Sequence, residues 1–145
     1  MISMFMGEYN HTVDVKGRLI IPSKFREQLG NEFVVTKGLD GCLSIYDLAS
    51  WRRLQEKLQI LPFTSADART LKRFMVGSAV STETDKQGRI LIPLPLRDYA
   101  KIDTDAVLIG NIDHIEIWSS EIWDDVKTID ADETARKLYE SGITL

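Results

Sequence analysis

One string occurs twice in this chain, and it limits the folds open to it. Asp14 to Arg26 reads DVKGRLIIPSKFR, and Asp85 to Arg97 reads DKQGRILIPLPLR. A slide of 71 residues sets Asp14 on Asp85, Gly17 on Gly88, Arg18 on Arg89, Pro22 on Pro93 and Arg26 on Arg97. One further residue of slip sets Gly38 on Gly110, Ile45 on Ile117, Tyr46 on Trp118 and Trp51 on Trp123. Two copies are too few for a solenoid, which needs at least three stacked units. They predict a pseudo-two-fold pair sharing one core. Residues 1–61 form the first unit, 62–75 a linker helix, 76–129 the second unit and 130–145 an acidic C-terminal helix.

Each copy reads as hairpin, short helix, hairpin, longer helix. Residues 8–13 and 18–21 are expected strands around Asp14-Val15-Lys16-Gly17, and Asp85-Lys86-Gln87-Gly88 has the same grammar. Asp accepts a turn N–H, and Gly takes positive φ without a Cβ clash. A helix over Ser23–Leu29 is stopped by Gly30, and its counterpart starts near Pro93, where missing N–H groups do no harm. Phe33–Thr36 with Leu43–Tyr46, and Ala106–Ile109 with Ile115–Trp118, are the second hairpins. Asp47 caps a helix placing Leu48, Trp51, Leu54, Leu58 and Leu61 on one face. Ser119 or Ser120 opens the matching helix, with Ile122, Trp123, Val126 and Ile129 inward. Thr64-Ser65-Ala66-Asp67 resembles a capping box ahead of the linker helix, and Ala131–Ser141 is a charged tail helix.

Composition narrows the class. With 43% hydrophobic residues the chain buries a core without staples. Cys42 is the single cysteine, which excludes an internal disulfide and a multi-cysteine zinc site and fits a reducing compartment. The start, MISMFMGEYN, has neither a basic region nor a long apolar run, so a protein without a secretory leader or membrane span, soluble and cytoplasmic, is expected. The net charge of −4 argues mildly against nucleic acid, but the charge is uneven. Residues 119–145 are strongly acidic, whereas the first repeat string carries Lys16, Arg18, Lys24 and Arg26 against Asp14 alone.

Catalysis finds little support. His11 and His114 are the only histidines and fall at non-equivalent positions, Cys42 lies in a turn without a histidine, and no phosphate-binding glycine loop occurs. Trp51 and Trp123 sit on helix stripes that suit core packing better than base stacking. Arg18 and Arg89 hold two readings. Each can pair with the Asp of its own turn, or present its guanidinium to a phosphate or a guanine edge. The two are compatible, since a carboxylate can hold an arginine ready.

FMGEYNHTVDVKGRLIIPSKFR, with Asp-x-x-x-Arg at Asp14–Arg18 and again at Asp85–Arg89, resembles the MraZ family of bacterial transcriptional regulators over essentially the whole chain. The motif also resembles AbrB-type swapped-hairpin DNA-binding proteins, in which two chains each supply one copy. The resemblance implies an α+β protein: two tandem repeats forming one swapped-hairpin, or double-psi, β-barrel with flanking helices. It implies a homo-oligomeric ring, nucleoid-associated, bound to double-stranded DNA at short direct repeats. These would lie ahead of the division and cell-wall genes and its own gene, usually for repression. No metal or organic cofactor is implied, and no enzyme activity. DNA contacts carry over to Arg18, Arg26, Arg89 and Arg97, with Lys16, Lys24 and Lys86 beside them and Asp14, Gly17, Asp85 and Gly88 as the turn residues. Lys16 and Lys24 face Gln87 and Pro95 in the second copy, and Lys86 faces Val15, so the first copy is the richer in cations. The rival expectation is a ring-forming scaffold whose partners are proteins.

Overall fold

The computed structural model describes residues 4–144; residues 1–3 of the first expected unit and residue 145 of the tail lie outside the described residues. The first copy supplies β1 (Glu8–Thr12), β2 (Arg18–Ile20), α1 (Ser23–Leu29), β3 (Phe33–Lys37), β4 (Leu43–Asp47) and α2 (Leu48–Ile60). After α3 (Ala66–Met75), the second supplies β5 (Val80–Thr82), β6 (Arg89–Leu91), α4 (Leu94–Ala100), β7 (Asp105–Gly110), β8 (Ile115–Ser119) and α5 (Ser120–Val126). The tail is α6 (Ala131–Glu140).

Local chemistry accounts for the ends of these elements. Pro22 and Pro93 precede α1 and α4, and Gly30 ends α1 at φ 80°. The Asp47 carboxylate accepts from Ser50 N at 2.8 Å, and Ser65 Oγ accepts from Ala68 N at 3.2 Å. Each cap satisfies an amide that the helix itself leaves unpaired.

The strand pairing interleaves the copies. One sheet runs β1-β7-β8-β4-β3-β5, and β2 pairs with β6 in a second sheet. β1 of the first copy lies antiparallel to β7 of the second, and β5 of the second lies antiparallel to β3 of the first. The order reads the same from either end once equivalent strands are exchanged, as a pseudo-two-fold requires. Two expectations change here. The segments around each Asp–Gly turn do not form a regular hairpin: Val13 and Leu19 make one isolated bridge, and β1 and β2 find their main partners in the other copy. The six-stranded sheet is also open, with β1 and β5 as its edges, so it is not a closed barrel.

One apolar cluster takes side chains from both copies, among them Phe5, Leu19, Phe25, Phe33, Ile45, Ile90, Leu96 and Ile117. Phe25 meets Phe5 and Tyr9 edge to face, with ring centroids 5.9 and 5.1 Å apart. Each such side chain, fully buried, stabilises by about 1.5–3 kcal/mol, so neither copy has its core without the other. The helical stripes are shallower than the sequence suggests. On α2 only Leu58 of the expected face is buried, and Leu48 is exposed. α5 stops at Val126, which leaves Ile129 exposed. Among the described residues no helix is long and apolar enough to cross a membrane.

Candidate nucleic-acid interface

The two Asp–Gly turns and the β2–β6 ribbon make one continuous feature. Arg18 faces Leu91, Leu19 faces Ile90 and Ile20 faces Arg89 across the ribbon. The ladder extends into the turns: Ile21 N donates to Gly88 O and Ile92 N to Gly17 O, both at 2.9 Å. Each turn glycine therefore receives the strand of the opposite copy. Leu19 and Ile90 point into the core, and strand alternation leaves Arg18, Ile20, Arg89 and Leu91 on the outer face.

Each turn holds its own arginine in the same way. Asp14 Oδ1 accepts from Lys16 N at 3.0 Å and Arg18 N at 2.9 Å, and its Oδ2 accepts from Arg18 Nε at 2.7 Å. Asp85 does likewise for Gln87 N, Arg89 N and Arg89 Nε at 2.9, 2.9 and 2.8 Å. Both carboxyls are held below the ordinary carboxylate range, first by the backbone N–H of the arginine, then by its side chain. Arg89 Nη1 also approaches Asp14 Oδ2 at 4.0 Å, which links the two turns. With Nε engaged, the remaining fork on each guanidinium is the Nη1/Nη2 end, and both side chains are partly exposed. That end can bind two acceptors side by side, as a phosphate or the O6/N7 edge of guanine offers.

The helix arginines cross over. Arg97 of α4 lies over the turn of the first copy, where a Cβ on Gly17 would come within 2.7 Å of its Nε. Arg26 of α1 lies over Gly88, where a Cβ would overlap the guanidinium. Gly17 and Gly88 also have φ of 86° and 78°, so glycine suits the conformation, and an added Cβ would displace the guanidinium that lies over each turn. Arg97 Nε donates to Ile92 O at 2.8 Å. Arg26 and Arg97 are half-buried, whereas Lys16, Lys24 and Lys86 are exposed. Two exposed apolar side chains on the ribbon, Ile20 at 43% and Leu91 at 57%, were not anticipated as part of the site. The signal was present: each lies two residues beyond the turn arginine and so shares its face.

The other candidates have structural neighbours. His114 stacks on Tyr46, with centroids 5.2 Å apart, and bonds Asp113 Oδ1 at 2.7 Å. Burial disfavours its charge, but hydrogen bonds from its ring N–H groups to the Glu116 and Asp113 carboxylates outweigh that and raise its pKa. Burial pushes the Cys42 thiol up to about 12, far from nucleophilic. Trp51 packs on Tyr46 and Trp123 on Trp118, at centroid distances of 5.8 and 5.6 Å. His11 sits half-buried on β1.

Comparison with known proteins follows the same division of the chain. The family described as "MraZ protein, putative antitoxin-like" matches residues 4–74 and again residues 75–141. A protein of Pelotomaculum thermopropionicum named transcriptional regulator MraZ is 53% identical over 143 residues, 97% of this chain and 99% of its own length. Proteins with the same name from Caldanaerobacter subterraneus subsp. tengcongensis and Desulfitobacterium hafniense are 56% and 57% identical, each over 122 residues, 84% of this chain and 85% of theirs. Two matches in tandem, meeting at the last turn of α3, follow the doubled string: the chain belongs to the MraZ family.

Proposed function

We propose that this protein is a sequence-specific DNA-binding transcriptional regulator that reads the major groove with its β2–β6 ribbon. The observation that carries the proposal is the clamped pair Arg18 and Arg89, each anchored through Nε by the Asp of its own turn, with the Nη end partly exposed and, on Arg89, 4.0 Å from Asp14. A major groove admits a two-stranded β-ribbon, and arginine binds guanine there through two hydrogen bonds. Preorganisation lowers the side-chain entropy lost on binding. Ile20 and Leu91, directly across the ribbon from Arg89 and Arg18 on the same face, suit the methyl group of thymine. Lys16, Lys24 and Lys86 supply phosphate attraction, with Arg26 and Arg97 bracing the turns from the opposite copy. The exchange of strands between the copies supports a swapped-hairpin arrangement within one chain, of the kind the AbrB-type resemblance implies.

One ribbon reaches few bases, so affinity is built by assembly. The protein acts as a homo-oligomeric ring on direct repeats in the promoter of its own division and cell-wall operon, usually repressing it. The relatives are named transcriptional regulators, which supports this class of function. A gel shift on the DNA upstream of its own gene tests it. Wild type is expected to shift that fragment in the presence of excess unrelated DNA. An R18A/R89A double variant of unchanged fold is expected not to. Equal shifts by both proteins would contradict the proposal, and no specific shift by wild type would favour a scaffold that binds proteins.

A further inference from the structure

We propose that α6 of one copy docks head-to-tail into the groove between α2 and α3 of the next copy. The proposal deepens the ring assembly above and rests on it. α6 has an apolar stripe at Ala131, Ala135, Leu138 and Tyr139, spaced as one helical face. Yet none of its residues is buried, and Leu138 and Tyr139 are 43% and 70% exposed. A ten-residue helix is marginal in water on its own, so its stability calls for a surface to pack against.

The same chain carries a surface of the right kind. A groove of about 560 Å³ lies between α2 and α3, mostly apolar, with Leu58 and Val76 between Gln55, Gln59, Lys72 and Arg73. Peptide helices are recognised in such grooves through anchors at i, i+4 and i+7. Charge settles the choice of occupant. α2 and α3 each carry three basic residues against one acidic residue, and Arg73 is among the groove's lining residues. The first turn of α6 is acidic, with Asp132 and Glu133 following the Asp130 cap. Helix and groove are different surfaces of one chain, so each copy donates one and accepts the other. Such heterologous contacts close into rings where the rotation between neighbours closes. The ribbon takes no part, so every copy keeps its DNA face.

The test uses full-length protein with cysteines placed at exposed positions on the two surfaces. The native Cys42 is buried and unreactive, so it does not compete. A V76C/L138C variant is expected to give, on mild oxidation, a ladder of dimers, trimers and larger covalent species. Mixing V76C with L138C should give a covalent dimer well above that from either alone. L138E, a change at an exposed site, should reduce the assembly in light scattering while leaving binding to a single DNA repeat within about twofold. Three results would overturn the proposal: an internal disulfide with no ladder, no cross-linking above the single-cysteine controls, or an L138E protein of wild-type assembly size. If these occur while wild type still assembles, the docking fails and the ring stands. A monomeric wild type would end both.

Discussion

Asp14 and Asp85 each use both carboxylate oxygens within their own turns, so Arg18 and Arg89 are set before any ligand arrives. Arg18→Ala should lower DNA affinity by about ten- to a hundredfold, the usual worth of one bidentate base contact. Arg89→Ala should do so less severely, because the second copy has fewer lysines around it. Neither change should move Tm appreciably, as measured by thermal unfolding beside DNA titration. Acid should release this setting. Each carboxyl is depressed in the folded state, so its contribution to the turn is complete above about pH 3.9 and is lost as pH falls through the lower folded value. The glycines give a second contrast. Gly30 has positive φ with open space around it, whereas Gly88 has positive φ beneath Arg26. Gly30→Ala should cost about 1–3 kcal/mol in urea unfolding, because φ 80° with ψ −167° is open essentially to glycine alone, and leave DNA binding unchanged. Gly88→Ala, also at positive φ, should weaken DNA binding as well, because its methyl displaces the Arg26 guanidinium. The turn itself was legible, because Asp, Gly and Arg interact within five residues. The crossing of Arg26 over Gly88 was not, since no local pattern says which copy a helix arginine will meet.

At the scale of elements, the short helix Ser23–Leu29 was read to the residue because a proline and a glycine bracket it. Strand partners were harder. An Asp–Gly turn reverses the chain, but it does not decide which neighbour receives the strand's remaining hydrogen bonds. β2 and β6 have only three residues each and gain more by pairing with each other, where Leu19 and Ile90 reach a common core. The start of β8, inside the larger sheet, carries its own test. His114, at the entry to β8, has a raised pKa, so it binds its proton more tightly folded than unfolded. Its stabilisation is therefore complete below about pH 6.5 and disappears as pH rises through the folded value. The Tm difference between wild type and H114Q should be largest near pH 5.5 and shrink by pH 9. A difference independent of pH would assign His114 to packing on Tyr46 alone.

At the scale of the whole molecule, the acidic balance and the basic ribbon describe one design. The net charge of −4 comes from surfaces such as the tail, while cations gather at the ribbon turns and on α2 and α3. The doubled string made the two-copy plan legible at once. The open sheet and the exposed stripe of α6 were not, because both depend on what the rest of the chain leaves unpaired. Subunits of a ring present their ribbons in the same rotational sense, which suits direct rather than inverted repeats. The most direct measurement is binding of the full-length protein to upstream DNA bearing one, two or three repeats, across several salt concentrations. A second set has one repeat shifted by about 5 bp, half a helical turn. Affinity should climb far more steeply than the number of sites, with log K falling against log salt by about 0.9 per phosphate neutralised. The half-turn shift should remove most of the gain. If one repeat binds as tightly as three, or the shifted DNA binds equally well, several ribbons are not reading one duplex together.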